Sequence, residues 1–334
     1  MTVSPKWLFF AGVIAIASPC FGGPAIAKDL SEPLQIRNTS PLAQLYGIAE
    51  FRGSKRDQLE ARFDVSAANS FTVGASAGEF VRLDGETAVF SYQLSRGFGR
   101  RFEAGIAASW VTHSGGRFDG LIDGFHDLFG FPNGGRPAVP RGNLNYFIQD
   151  GSQGGNGVAL DLVGKNTDLG DFRLWVGYEL WERPGASIVA RAQVKLPTGS
   201  TRQLTGSGAT DVALNVDYVG QWLRPYLSVS LGAGVVRMGL GELLPQRQRR
   251  TLWTGHFGLT ARVSPAVSFI GQLDAHAALF DSGTSQLGDA VLQGTLGGRI
   301  RVTPALDVEL AVVEDLSGAL AADVIFQVAL EGRF

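Results

Sequence analysis

The chain is almost without cysteine: Cys20 is the single one in 334 residues, and it lies beside an apolar N-terminal run. If that run is removed on export, no disulfide, thiolate chemistry or cysteine-ligated metal is expected in the remaining chain. Histidine is nearly as scarce, with four copies, and no two are spaced as zinc ligands. A dominant charge sign is also missing, since 29 Lys and Arg stand against 31 Asp and Glu, a formal net charge of −2. Nucleic acid is therefore not an expected partner, because its recognition needs a basic footprint. After the N-terminus no stretch approaches the roughly 18 consecutive apolar residues of a membrane-spanning helix. "GSGATD" (Gly206–Asp211) is too irregular for a phosphate loop, and no cofactor is implied.

The first residues read as a secretory signal. Lys6 supplies the positive charge, "WLFFAGVIAIA" (Trp7 to Ala17) the apolar stretch, and Ala25–Ile26–Ala27 the small-x-small site, so cleavage is expected after Ala27. Pro19 directly before Cys20 speaks against a lipid anchor. Residues 28–56 are then expected as a periplasmic or entry segment, and 57–334 as one domain.

That domain alternates. In "DVIFQVALEGRF", Val324, Phe326, Val328 and Leu330 share one face, while Asp323, Gln327, Glu331 and Arg333 fall on the other. Period two is the signature of a strand, whose successive side chains point to opposite sides. The pattern predicts strands over 57–67, 86–96, 101–112, 171–181, 186–197, 210–219, 224–237, 251–263, 266–280, 288–301, 305–315 and 321–334. Short turns such as "ERPGA" (182–186) and "VSPA" (263–266) alternate with long polar loops, the longest being 114–156. Sorting of short turns to one end and long loops to the other is the habit of outer-membrane barrels. The fold predicted is thus all-β: a transmembrane antiparallel β-barrel of about twelve strands. Residues 143–149 and 158–164 either form a hairpin outside the membrane or raise the count to fourteen. Trp110 and Trp253 at loop ends, and Trp222, Tyr226 and Phe334 at turn ends, sit where aromatic girdles belong. The terminal Phe334, after alternating apolar residues, is similar to the C-terminal signal read by the barrel-assembly machinery. Other expected partners are outer-membrane lipid and lipopolysaccharide, and a small-molecule solute.

The inward face carries both signs, among them Arg62, Glu103, Arg173, Arg191, Asp274, Arg299 and Glu309. Such charges either satisfy one another or line a weakly selective pore, because strong selectivity needs rings of one sign. Catalysis is not indicated. His113 and Ser114 are adjacent and so face opposite ways on a strand. His256 and His276 face the lumen with Asp274 near in sequence, but no serine spacing marks a triad.

One block breaks the alternation. In "FDGLIDGFHDLFGFPNGGR" (Phe118–Arg136), Leu121, Phe125 and Leu128 fall on one stripe of a helix, and Asp119, Asp123, His126 and Asp127 on another, before Pro132 ends it. A short amphipathic helix in the longest extracellular loop could plug the mouth, pack at the lipid interface, or hold a ligand or metal ion. Candidate gating or ligand residues are therefore Asp119, Asp123, His126, Asp127 and Arg136 in the block. On the wall they are Arg173, Arg191, Asp274 and His276. No residue is assigned as catalytic or metal-binding.

With this block, "PLQIRNTSPLAQLYG" (Pro33–Gly47), "RLDGETAVF" (Arg82–Phe90) and Gly170–Asp171 with Arg173–Leu174 in view, the mature chain resembles the bacterial outer-membrane family labelled domain of unknown function 3187. Phe118 departs from the Leu expected before Asp-Gly in that block. "LPTG" (Leu196–Gly199) before a Gly-rich loop is loosely similar to barrels tied to uptake of phenolic compounds. The resemblance implies location and fold. The function expected is a passive channel or binding port for a small solute, hydrophobic or aromatic. The alternative is a plugged barrel serving envelope integrity, with a lipid-modifying barrel enzyme third.

Overall fold

The computed structural model describes residues 31–51, 58–99, 101–116, 142–152, 157–223, 226–318 and 320–334. The expected signal peptide and the block 118–136, with Asp119, Asp123, His126, Asp127 and Arg136, lie outside the described residues.

Fifteen strands are described. The first six are β1 (Leu59–Ser76), β2 (Glu79–Phe98), β3 (Phe102–Ser114), β4 (Asn145–Asp150), β5 (Val158–Leu162) and β6 (Asn166–Leu169). Next come β7 (Phe172–Arg183), β8 (Ala186–Leu196), β9 (Asp211–Leu223), β10 (Leu227–Arg237) and β11 (Thr251–Arg262). The last four are β12 (Val267–His276), β13 (Val291–Thr303), β14 (Leu306–Asp315) and β15 (Val324–Arg333). Twelve of them close a ring: β1 pairs with β2 and β15, β2 with β3, β3 with β7, and from β7 each pairs with the next. The seam is completed at the chain ends, where Leu59 and Phe334 exchange backbone hydrogen bonds. Closure matters because hydrocarbon offers no partner to an unpaired N–H or C=O, so a spanning sheet can have no edge.

The count is twelve, not fourteen. β4 and β5 form the hairpin outside the wall, on the upper part of β2, and β6 adds to the top of β3. β1 and β2 run further than expected, meeting in a tight turn at Gly78 (φ 82°). The helix read into 118–129 is outside the described residues; the α-helix among them is the short Ser285–Gly288.

Alternation divides the wall as expected. Outward positions such as Phe63, Ile106, Val176, Leu214, Phe269 and Leu310 are exposed and meet lipid. Trp110, Trp253, Trp222, Tyr226 and Phe334 are exposed near the strand ends. Inward positions are polar and buried. On one side of the lumen, Arg62 reaches Glu309 at 2.6 Å and Glu331 at 3.5 Å, and Arg299 also reaches Glu309 at 2.6 Å. On the other, Arg191 pairs with both Glu103 and Asp217. Gly177 lies between Arg191 and Glu103 in the register, and a Cβ there would overlap Glu103, so the missing side chain lets the ions meet.

Removing one partner of a buried pair strands the others without water. Arg191→Ala is accordingly expected to lose about 3–5 kcal/mol, read as a lower guanidinium midpoint in detergent, while Arg191→Ala with Glu103→Ala and Asp217→Ala recovers part of it.

Candidate functional site

The lumen is filled by the segment 31–51, and no described strand falls within it. The described part of the expected periplasmic or entry segment lies against the inner wall of the barrel. The physical reason lies in its contacts. A chain without a ladder of its own must find partners for its backbone, and the inner wall supplies them. Gln272 brackets Leu34, accepting from its N–H at 3.1 Å and donating to its carbonyl at 3.1 Å. Gln327 donates to the carbonyl of Gln35, Gln193 to that of Gly47, and Arg299 to those of Glu32 and Pro33. The carboxylate of Asp211 accepts from the N–H of Gly47 at 2.8 Å.

Apolar side chains of the segment enter sockets made by absent side chains. The Phe51 ring stacks on His256, centroids 5.1 Å apart, and rests over Gly232, where a Cβ would overlap it. Leu34 fits against Gly297 in the same way. Between these ends the chain forms a 3-10 turn at Ala43–Leu45. There Leu42, Leu45 and Tyr46 join an apolar cluster with Tyr146, Leu204, Phe280 and Leu287 from the loop side of the barrel. The loop after β8 is folded into this cluster. Leu204, at φ 54°, accepts from Gln44 at 2.5 Å, and His113 lies 2.9 Å from the same carbonyl. Lys195, fully buried, anchors the loop's two flanks through Asp171, Ser207 and the carbonyl of Ala209.

Of the wall candidates, two hold the segment. Arg173 meets Glu50 at 3.1 Å, and Glu50 also pairs with Arg37 at 2.6 Å. His276 Nε2 accepts from the Asn38 amide at 3.1 Å, its Nδ1–H being directed to the carbonyl of Ala277 at 2.8 Å. Arg191 holds wall to wall. Asp274 binds His256 at 3.0 Å and Gln272 at 2.8 Å. The sequence reading missed the lumenal glutamines and Asp211. Their inward phase was legible, but nothing in it says what they hold. His113 is buried against Thr87 and faces away from Ser114, so the two make no dyad.

Above the membrane, Arg247 ties two loops to the barrel top, reaching Asp150 at 2.9 Å and Glu79 at 2.5 Å. Hydrogen bonds from Arg247 hold the Asp150 carboxyl below the usual carboxylate range.

A closed twelve-strand antiparallel wall, apolar outside and polar inside, defines an outer-membrane β-barrel. The chain belongs to the family described as Protein of unknown function (DUF3187), which matches residues 23–334. Among solved structures, the COG4313 outer membrane channel from Pseudomonas putida F1 superimposes with a TM-score of 0.55 at 12% identity, over 84% of this chain and 97% of that one. At that identity the likeness is one of fold. The NanC porin (TM-score 0.45, 8% identity, 83% and 100% covered) and the Ralstonia pickettii toluene transporter TbuX (0.41, 13%, 94% and 98%) are more remote. No curated protein matches the sequence.

Two outcomes test this geometry. Gly232→Leu displaces the Phe51 ring, so trypsin cleavage after Arg37 in the folded barrel should quicken at least about tenfold over wild type. Because Asp150 titrates lower folded than unfolded, the stability it lends is present above about pH 4 and is lost as pH falls through the folded value. Deuterium uptake across 145–150, corrected for intrinsic rates, should hold steady down to about pH 5, rise below about pH 4, and lose this transition in Arg247→Gln.

Proposed function

We propose that the protein is a passive outer-membrane port for a small hydrophobic or aromatic solute, held shut by its own N-terminal segment. The observation that carries the reading is that the lumen is filled by a segment outside the sheet, bound through side chains. Such hydrogen bonds are worth about 0.5–1.5 kcal/mol each, and water can replace them. A strand of the wall could leave only by opening the barrel. The buried ion pairs within the wall join neighbouring or next-neighbour strands and stiffen it without crossing the lumen, whereas Arg173–Glu50 ties the wall to the segment. At the loop side the interior is apolar, and Tyr46, Tyr146 and Phe280 make it suited to an apolar solute. The same fold serves as an outer membrane channel in the Pseudomonas putida protein. The chain would be delivered by an N-terminal signal and assembled through its terminal strand, ending at Phe334. Whether Asp119, Asp123, His126, Asp127 and Arg136 form a second barrier over the mouth belongs to this proposal.

The rival is a closed structural barrel, and the density of lumenal contacts to the segment favours it. Planar-bilayer recording separates the two. Mature protein without residues 28–51 should conduct at least about tenfold more than the full mature chain, as expected for a route otherwise filled by protein. Silence of both, and of a form also lacking 118–136, would establish the closed barrel.

A further inference from the structure

We propose that Ser230 is a latent nucleophile, activated by His256 and Asp274, for acyl transfer from small aromatic esters. The three residues lie on the adjacent strands β10, β11 and β12 and point into the lumen. The register sets His256 opposite Gly232 and Asp274, and Ser230 opposite Gly258, one inward position away. Ser230 Oγ is 2.8 Å from His256 Nε2, and His256 Nδ1 is 3.0 Å from Asp274 Oδ1. The tautomer that satisfies all three has Nδ1–H donating to the carboxylate, which leaves Nε2 to accept the hydroxyl proton. That is the donor order of serine triads on unrelated folds, recognised by geometry and not by chain order. Gln272 Nε2 donates to the second oxygen of Asp274 at 2.8 Å, which fixes the carboxylate. Gly258 makes room for the pair: a Cβ there would overlap Ser230 Oγ and press on His256 Nε2.

Polar residues on a polar wall satisfy one another without doing chemistry, so the relay alone does not name a ligand. Phe51 does. Its ring lies on His256 at an interplanar angle of 28° and occupies the space left by Gly232. With Phe51 lifted, a flat recess the size of one aromatic ring opens beside the serine–histidine pair. An ester of a small phenol fits that recess, its ring in place of Phe51. Ser230 Oγ adds to the ester carbonyl carbon while His256 Nε2 takes the hydroxyl proton, and the carbon–oxygen bond to the phenol breaks. The departing oxygen receives the proton from His256, leaving acyl-Ser230 and free phenol. Lumenal water then attacks the acyl carbon; its proton passes through His256 to Ser230 Oγ, releasing the carboxylic acid and restoring the serine. In the intact protein Phe51 keeps this site covered. The inference rests on the port reading only in that a solute must reach the lumen, and Phe51→Ala uncovers the recess without requiring the segment to leave.

The test is labelling of purified mature protein by diisopropyl fluorophosphate in detergent, followed by peptide mass mapping. The hydroxyl oxygen displaces fluoride from phosphorus, and its proton goes to His256. Phe51→Ala should carry the adduct on Ser230 at least about tenfold faster than wild type. His256→Gln in that background should slow it by about a hundredfold or more, and Ser230→Ala should abolish it. No adduct on Ser230 in a Phe51→Ala barrel that still shows the heat-dependent mobility shift of a folded barrel would overturn the proposal. So would labelling unchanged by His256→Gln. Either result leaves the conductance expected after deletion of 28–51 untouched.

Discussion

The structure depends on one constraint: in hydrocarbon, every backbone donor and acceptor must be satisfied within the protein. The twelve-strand ring meets it by having no edge, and the exchange between Leu59 and Phe334 completes it at the seam. Period-two alternation is the consequence, since a wall one residue thick gives each strand a lipid face and a lumenal face. Apolar residues take the first, and charge is driven to the second.

Moving charge inward transfers the problem of satisfaction to the lumen. Guanidinium and carboxylate groups buried there must pair, as Arg62, Arg299, Glu309 and Glu331 do, because an uncompensated buried ion is costly. Amides and the remaining charges also face the interior, where they are buried. The segment 31–51 fills that interior and gives its carbonyls and N–H groups to Gln193, Asp211, Gln272, Arg299 and Gln327. Wall and segment are thus complementary in hydrogen bonding, and at Gly232 and Gly297 in shape. A barrel filled this way holds a part that is not bound into the sheet. Its function and any chemistry at Ser230 turn on whether that part moves.

The ring was legible because alternation is strong where one face meets lipid. All twelve predicted strands correspond to wall strands, and of the two readings left open for β4 and β5 the structure takes the hairpin outside the wall. The upper halves of β1 and β2 were not foreseen. Above the membrane, Ser70 to Gly85 loses the contrast between apolar and polar phases, although the ladder continues to Ser76 and Glu79. The place of 31–51 was not legible either, because a segment that borrows its partners from distant strands carries no period. For the same reason Arg173 and His276 could be chosen as lumenal candidates, but not their partners Glu50 and Asn38. Ser230 escaped notice because its link to His256 spans strands and leaves no spacing in sequence.

The central claim is that the N-terminal segment occupies the lumen and reaches its loop side. It is tested most directly by cysteine pairs joined with a short bismaleimide in outer membranes, in a chain whose one native cysteine lies at position 20. Gln44→Cys with Leu204→Cys should cross-link, since Gln44 bonds the Leu204 carbonyl deep among the loops, whereas Gln44→Cys with Thr303→Cys, at the turn side, should not. Cross-linking of the second pair in place of the first would put the segment in the periplasm and contradict the account.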